Sequence, residues 1–295
     1  MSFGNSFRQK SIIPFWGFML KLILERLTLI WIHYWTHLSS AITEVRIGKW
    51  LSPFGGSSET SEVPFGSGRM FDKFAKYYDI GNRFMSLGQD QSWRAALLIA
   101  AKVSSDDFVL DLATGSADVA ISAKSRFNAK RVVGLDPSIE MLKIGRLKVS
   151  RLGLRDVELV EGDAQSMPEF SDGMFDKITM SFGIRNVPDR AKALKEIRRV
   201  IVPKPASRLA IMEFSAPSTE TFLGYMAALF VRYVVPLIGG LITGAMKEYN
   251  YLEKSIFEFP SPLDFEKIIE SSGFESVDRI SLACGVVHIY VAKPR

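Results

Sequence analysis

Cysteine and histidine are almost missing from this sequence, and the glycine-rich phosphate fingerprints are missing altogether. The single cysteine, Cys284, leaves no partner for an internal disulfide, and three histidines, two of them near the N-terminus (His33 and His37), are too few for a zinc site built from Cys and His. No metal is therefore expected. Neither a G-x-G-x-x-G nor a Walker-type loop occurs, which weighs against dinucleotide and nucleoside-triphosphate sites. No low-complexity tract is present either. With 47% hydrophobic and 23% charged residues, most of the chain must bury a core rather than remain disordered or collagen-like. A dominant charge is lacking too: 37 basic against 32 acidic residues leave a scattered +5, too little to argue for nucleic acid, though compatible with an anionic membrane surface.

What is there begins with length. The 295 residues suit one α/β core of roughly 200–250 residues and leave about 50–70 for an appendage. Residues 1–68 have that character. Four of the five tryptophans (Trp16, Trp31, Trp35 and Trp50) lie there, and Ile12 to Trp35 is dense in apolar residues, with Lys21, Glu25 and Thr28 forming a polar stripe at helical spacing. Lys21, Glu25 and Arg26 disfavour a spanning helix, because a charge near the centre of a span costs about 2.5–3.5 kcal/mol. Arg8 and Lys10 precede the apolar part, and no acid comes before Glu25. The pattern fits a targeting presequence or membrane anchor first, then an interfacial helix of the mature protein, then a helix packed on the core. Ser52 to Gly68, rich in Gly, Ser and Pro, reads as a linker.

From Phe108 onward the pattern becomes a strand and helix rhythm. Phe108–Ala113, Val132–Leu135, Val157–Val160, Ile178–Phe182 and Leu209–Phe214 read as buried strands. Between them, Ala191, Leu194, Ile197 and Val200 recur at helical intervals before Pro203, while Ser261, Pro262 and Asp264 open a helix that Gly273 closes. Val277–Leu282 and Val286–Ala292, close together around Gly285, predict a closing antiparallel hairpin at the sheet edge. The expected fold is α/β: a mostly parallel sheet with helices on both faces, binding its ligand at the carboxyl ends of the strands.

Those ends carry chemistry. The first strand runs into the small-residue turn Asp111 to Asp118, which allows close backbone approach. The second ends at Asp136, 25 residues after Asp111, where nucleotide-binding sheets place an acid for ribose hydroxyls. The third ends in Glu161-Gly162-Asp163-Ala164. Taken singly, such acids are as often caps or turn residues.

The turn Asp111–Asp118, Asp136 with Met141, Leu142 and Gly145, the run Glu161–Ala164, and above all Ser181-Phe182-Gly183-Ile184-Arg185-Asn186-Val187 resemble the ubiquinone/menaquinone biosynthesis C-methyltransferases. Tyr78, Asp79, Asn82, Ser86, Leu87, Gly88 and Trp93, with Glu213, Phe214 and Ser215, extend the resemblance from about Met70 to the C-terminus. It implies a Rossmann-like, class I S-adenosylmethionine-dependent methyltransferase with a seven-stranded sheet, acting on a ring carbon of a prenylated quinol. It also implies Gly115, Ser116, Asp136, Asp163, Ala164 and Ser181 as cofactor-binding residues and Arg185 and Asn186 as catalytic ones. Asp136 would serve the ribose hydroxyls, Asp163 and Ala164 the adenine, and the Gly115 turn the methionine part. Arg185 would stabilise the phenolate or hold a water that takes its proton, and Asn186 would orient the ring oxygen. The simpler readings stay beside these: Asp136 capping a helix begun by Pro137, Asp163 serving its own turn, Arg185 and Asn186 pinning their loop.

The chain departs from the family pattern at Ala117, where a glycine is usual, at Asp90, where a histidine is usual before Trp93, and at Pro203–Ser207, in place of a shorter Pro-Gly-Gly turn. A second apolar stretch, Phe222 to Met246, is interrupted by Arg232, Pro236, Gly239 and Gly240, so a broken helical cap over the site is expected at about residues 217–256, receiving a polyprenyl tail, with Tyr249 and Tyr251 nearby. The expected substrate is a prenylated benzoquinol of ubiquinone synthesis. The alternatives are a demethylated naphthoquinol of menaquinone or phylloquinone synthesis, a non-catalytic subunit of a quinone-synthesis complex, and a small-molecule N- or O-methyltransferase. The expected setting is peripheral on the mitochondrial inner membrane, with a plastid or bacterial membrane as alternatives and other quinone-synthesis enzymes as partners.

Overall fold

Alternation with period two buries both faces of each central strand, and the resulting sheet is covered by helices on both sides. The computed structural model describes residues 72, 75–86, 88–217, 220, 222–234 and 246–295. The N-terminal helix and linker expected over 1–68 lie outside the described residues.

Two helices, α1 (Ala75–Met85) and α2 (Asp90–Ala100), precede the sheet. Then β1 (Phe108–Leu112), α3 (Asp118–Ser125), β2 (Arg131–Asp136), α4 (Ile139–Arg151) and β3 (Val157–Glu161) build one half. The other half consists of β4 (Lys177–Ser181), α5 (Arg190–Val200) and β5 (Arg208–Phe214). After α6 (Phe222–Leu229) and α7 (Met246–Phe257) come α8 (Pro262–Ser271), β6 (Phe274–Leu282) and β7 (Val287–Pro294). The strand order is β3-β2-β1-β4-β5-β7-β6, with β7 antiparallel to both neighbours.

In β1, Leu110 and Leu112 join the core on one face while Val109 joins that on the other; in β5, Leu209 and Ile211 oppose Ala210 and Met212 in the same way. Each fully buried Leu or Ile contributes about 1.5–3 kcal/mol. One core gathers Leu194 and Ile197 of α5 with Phe265 and Ile269 of α8; the other gathers Leu97 and Leu98 of α2 with Val119 and Ala123 of α3.

The hairpin forms as expected, with the order that burial dictates: β7 is buried almost throughout and enters beside β5, whereas the largely exposed β6 takes the edge. Helix α8 opens as read, since Ser261 Oγ accepts the Asp264 N–H at 3.3 Å, and Gly273 follows it at φ +97°. Two details differ from expectation. The helix after β2 begins at Ile139 and is capped by Ser138, whose Oγ accepts the Met141 N–H; Pro137 lies outside it. In α5 the buried small residue is Ala193, while Ala191 faces solvent, a rotation of the apolar stripe set by packing against α8. The Pro203–Ser207 turn leads into the amino end of β5, at the opposite end of that strand from Phe214.

Candidate active site

Strand order reverses between β1 and β4, so a crevice opens at their carboxyl ends. The turn after β1 winds through three left-handed residues, Ala113, Gly115 and Ala117, at φ 50°, 56° and 69°. Glycine adopts that region freely, whereas alanine is strained there by about 1–2 kcal/mol, so Ala117 holds the family's glycine conformation at a cost. Across the crevice, a Cβ on Gly183 would lie 2.4 Å from the Ala113 Cβ; only glycine lets the loop after β4 come this close.

Asp111 is buried below the turn and accepts hydroxyl bonds from Thr114 (2.6 Å) and from Thr179 of β4 (2.7 Å). Burial pushes its carboxyl up to about 6. Asp136, next door, accepts the N–H groups of Gly115 and Ser138, each at 2.8 Å, and burial also pushes it up to about 6, with Asp72 adding to the rise. A carboxylate has about four lone-pair sites, so Asp136 retains acceptors for a diol. Gly162 donates its N–H to the Asp136 carbonyl at 3.2 Å, which brings the run Glu161–Ala164 to the same edge. Asp163 is exposed there; its carboxylate accepts the Gln165 N–H at 2.9 Å and the Gln165 amide, so it does serve its own turn. Ala164 is buried in the core beneath.

Ser181 ends β4, and its buried Oγ has no hydrogen-bond partner among the described residues. A buried orphan hydroxyl is uncommon, and it suits a polar ligand in the crevice. Ser116 is different. Its hydroxyl donates to Asp79 at 2.6 Å and accepts from Lys148 Nζ at 2.9 Å, while Lys148 also binds Asp79 (2.6 Å) and Asp118 (2.8 Å). The hydroxyl proton expected for the cofactor is thus directed to α1, and Ser116 ties that helix over the turn. Nothing local signals this, because Asp79 and Lys148 are 69 residues apart.

Past Ser181, a short 3-10 turn, Ile184–Asn186, buries Arg185. Its Nη1 donates to Glu213 Oε1 at 2.6 Å and to the Phe182 carbonyl at 3.2 Å, its Nε donates to Ser255 Oγ of α7 at 3.3 Å, and its guanidinium lies 5.5 Å from the Phe214 ring centre. Glu213 is fully buried and also accepts the Arg185 backbone N–H at 3.2 Å. Nη2 makes no hydrogen bond among the described residues. Tyr251 of α7 donates its hydroxyl to Asn186 Oδ1 at 3.3 Å, and burial raises the Tyr251 phenol. The loop is therefore pinned, as the simpler reading has it, and one edge of the guanidinium is still left over. Glu213 escapes a search of strand ends for ligand-binding acids because its partner is a cation 28 residues earlier.

In the stretch expected to form the cap, α6 passes without interruption into a π-helical segment, Phe230–Val234, and Arg232 Nε lies 3.9 Å from Glu253 of α7. Pro236, Gly239 and Gly240 lie outside the described residues.

Comparison with known proteins agrees with this arrangement. Residues 60–293 match the model of the ubiE/COQ5 methyltransferase family. The chain is 38% identical over 207 residues to a demethylmenaquinone methyltransferase of Thermotoga maritima, covering 70% of this chain and 87% of that protein. It is 37% identical over 227 residues to a ubiquinone/menaquinone biosynthesis C-methyltransferase of Geotalea uraniireducens, covering 76% and 94%. Among solved structures, a SAM-dependent methyltransferase from Aquifex aeolicus shares the fold at 20% identity and a TM-score of 0.54, over 75% of this chain and 97% of the other. The chain belongs to the ubiE/COQ5 methyltransferase family, S-adenosylmethionine-dependent C-methyltransferases of quinone biosynthesis.

Proposed function

We propose that the domain expected over residues 69–295 methylates a ring carbon of a prenylated quinol in the crevice between β1 and β4. S-adenosylmethionine supplies an electrophilic methyl group. Asp136 accepts from the ribose hydroxyls, Asp163 and Ala164 border the adenine, the Gly115 turn passes beneath the methionine part, and Ser181 offers its hydroxyl. Ser116 acts indirectly, by holding α1 over the turn. The negative field of Asp111 and Asp136 suits a sulfonium.

A ring carbon becomes nucleophilic when a neighbouring phenol gives its proton to water; the new carbon–carbon bond then forms as the methyl–sulfur bond breaks, leaving the thioether, and the ring carbon releases its own proton to water. Arg185 turns its unoccupied Nη2 edge toward the developing oxyanion, and Asn186, its carbonyl held by Tyr251, presents its amide N–H groups to the ring oxygen. The observation that carries this reading is the arginine fixed by a fully buried Glu213 just past the orphan hydroxyl of Ser181.

A benzoquinol is the substrate expected from the sequence; similarity to demethylmenaquinone methyltransferases favours a demethylated naphthoquinol. Incubation with labelled S-adenosylmethionine and both prenylated quinols under reducing conditions decides. Label on a ring carbon of the naphthoquinol is the expected result, and label on the benzoquinol alone restores the first choice. A product methylated only on oxygen, or no product from either ring, overturns the proposal and, in the second case, leaves the non-catalytic subunit.

The cap suits an apolar tail and a membrane surface. Along α6 and the π segment, Gly224, Ala228 and Val231 are buried, while Phe222, Tyr225, Met226, Phe230 and Tyr233 are 40–67% exposed, so these five large side chains face outward. No helix among the described residues is long and apolar enough to cross a membrane. Replacing Tyr225, Met226 and Phe230 with serine in the full chain is expected to cut flotation with anionic vesicles several-fold; unchanged flotation assigns binding to another part of the chain. A mitochondrial destination rests on residues 1–68, which are not described, and the relatives reported above are bacterial. Association with other quinone-synthesis enzymes belongs to the same proposal.

A further inference from the structure

Arg94 of α2 is 7% exposed, and its guanidinium is poorly matched. Among the described residues its side chain makes one hydrogen bond, from Nη1 to Asp90 Oδ2 at 3.4 Å, the long edge of the range; Nε and Nη2 make none. Asp90 is itself shared, accepting from Ser86 Oγ and Gln91 Nε2 at 3.2 Å each and lying 3.4 Å from Arg83 Nε. A buried guanidinium with several idle donors is costly unless an anion meets it.

The other acids nearby are engaged elsewhere. Asp118 is held by Lys148 and Gln91, and Asp111 by two threonines. Both carboxylates lie within electrostatic reach of Arg94, as does Tyr78, so the guanidinium sits beside the turn at the end of β1. Neighbouring contacts agree with that position: Gln91 donates to Asp118, the first residue of α3, at 3.1 Å, and the Trp93 ring meets Phe182 edge-on at 6.4 Å. Helix α3 opens at the same place, and its N-cap, Ala117, provides no side-chain acceptor for the first-turn N–H groups.

We infer that Arg94, held in place by Asp90, binds the carboxylate at the amino-acid end of S-adenosylmethionine, with the amino end of α3 facing the same group. This rests on the cofactor pocket proposed above. It gives Asp90, where the family resemblance has a histidine, the task of aiming the arginine.

Two nucleoside thioethers test it: S-adenosylhomocysteine, which carries the amino-acid group, and 5′-methylthioadenosine, which lacks it. In calorimetric titrations, Arg94→Met is expected to weaken S-adenosylhomocysteine by about 30-fold, the scale of a charge-assisted pair, while changing methylthioadenosine less than about 3-fold. Arg94→Lys should recover part of the loss, and it serves as the test variant if the methionine variant does not fold. Equal weakening of both ligands would make Arg94 structural, and no weakening of either would also overturn the inference. If the unaltered protein binds neither nucleoside, it is the pocket itself that fails rather than the role of Arg94.

Discussion

Replacing Arg185 with alanine is expected to abolish methyl transfer and also to destabilise the fold by about 3–5 kcal/mol, because Glu213 would remain fully buried with its cation gone. The single variant therefore confounds chemistry with folding. A pair of substitutions separates them: Arg185→Met with Glu213→Leu removes both charges, and exchanging a buried ion pair for apolar groups of similar size is close to neutral. That double variant should unfold near the parent temperature and titrate S-adenosylhomocysteine with nearly parental affinity, yet lose turnover by at least about 10²–10³-fold, the scale set by removing one oxyanion donor. Glu213→Gln should give the intermediate case, with Arg185 still bound through the amide oxygen and less sharply aimed. Substantial turnover in the well-folded double variant would remove Arg185 from the reaction and leave it a loop anchor.

Replacing Asp111 with asparagine is expected to stabilise the protein at pH 8 and not at pH 4. Burial raises the folded carboxyl to about 6, above the ordinary unfolded value of about 3.9, so the native state binds the extra proton between those values. The favourable contribution is complete below about pH 4 and is lost as pH rises through 6; above that, the ionised carboxylate costs on the order of 2–3 kcal/mol, a part of it shared with Asp136. Asparagine keeps an acceptor, and the Thr114 and Thr179 hydroxyls can rotate to receive its amide. Urea unfolding at the two pH values measures the difference. A gain of equal size at both, or none at pH 8, would show that the buried charge is not the cost. The acid's retention makes sense if the field that strains the empty fold is the one that attracts a sulfonium, a trade of stability for binding.

The sequence by itself determined the strand rhythm, the opening of α8 and the closing hairpin. The short apolar run in Leu209–Phe214, the Ser261-Pro262 opening of α8 and the paired runs around Gly285 each act within a few neighbouring residues, so the strands, the start of α8 and the hairpin were legible. So was the placing of Asp136 at a strand end, since a strand stops where its apolar run stops. The family resemblance, carried by Ser181 to Val187, told which chemistry to look for.

Tertiary structure decided which side chains spend their hydrogen bonds on one another. Crossovers bring Glu213 under Arg185, set Asp79 and Lys148 around Ser116, and leave Arg94 buried beside a turn whose acids already have other partners. They also turn α5 so that Ala193 rather than Ala191 is covered. The physical reason is common to all of these: backbone propensity and hydrophobic period are local, whereas the satisfaction of a buried polar group depends on groups tens of residues away that meet only when the sheet closes.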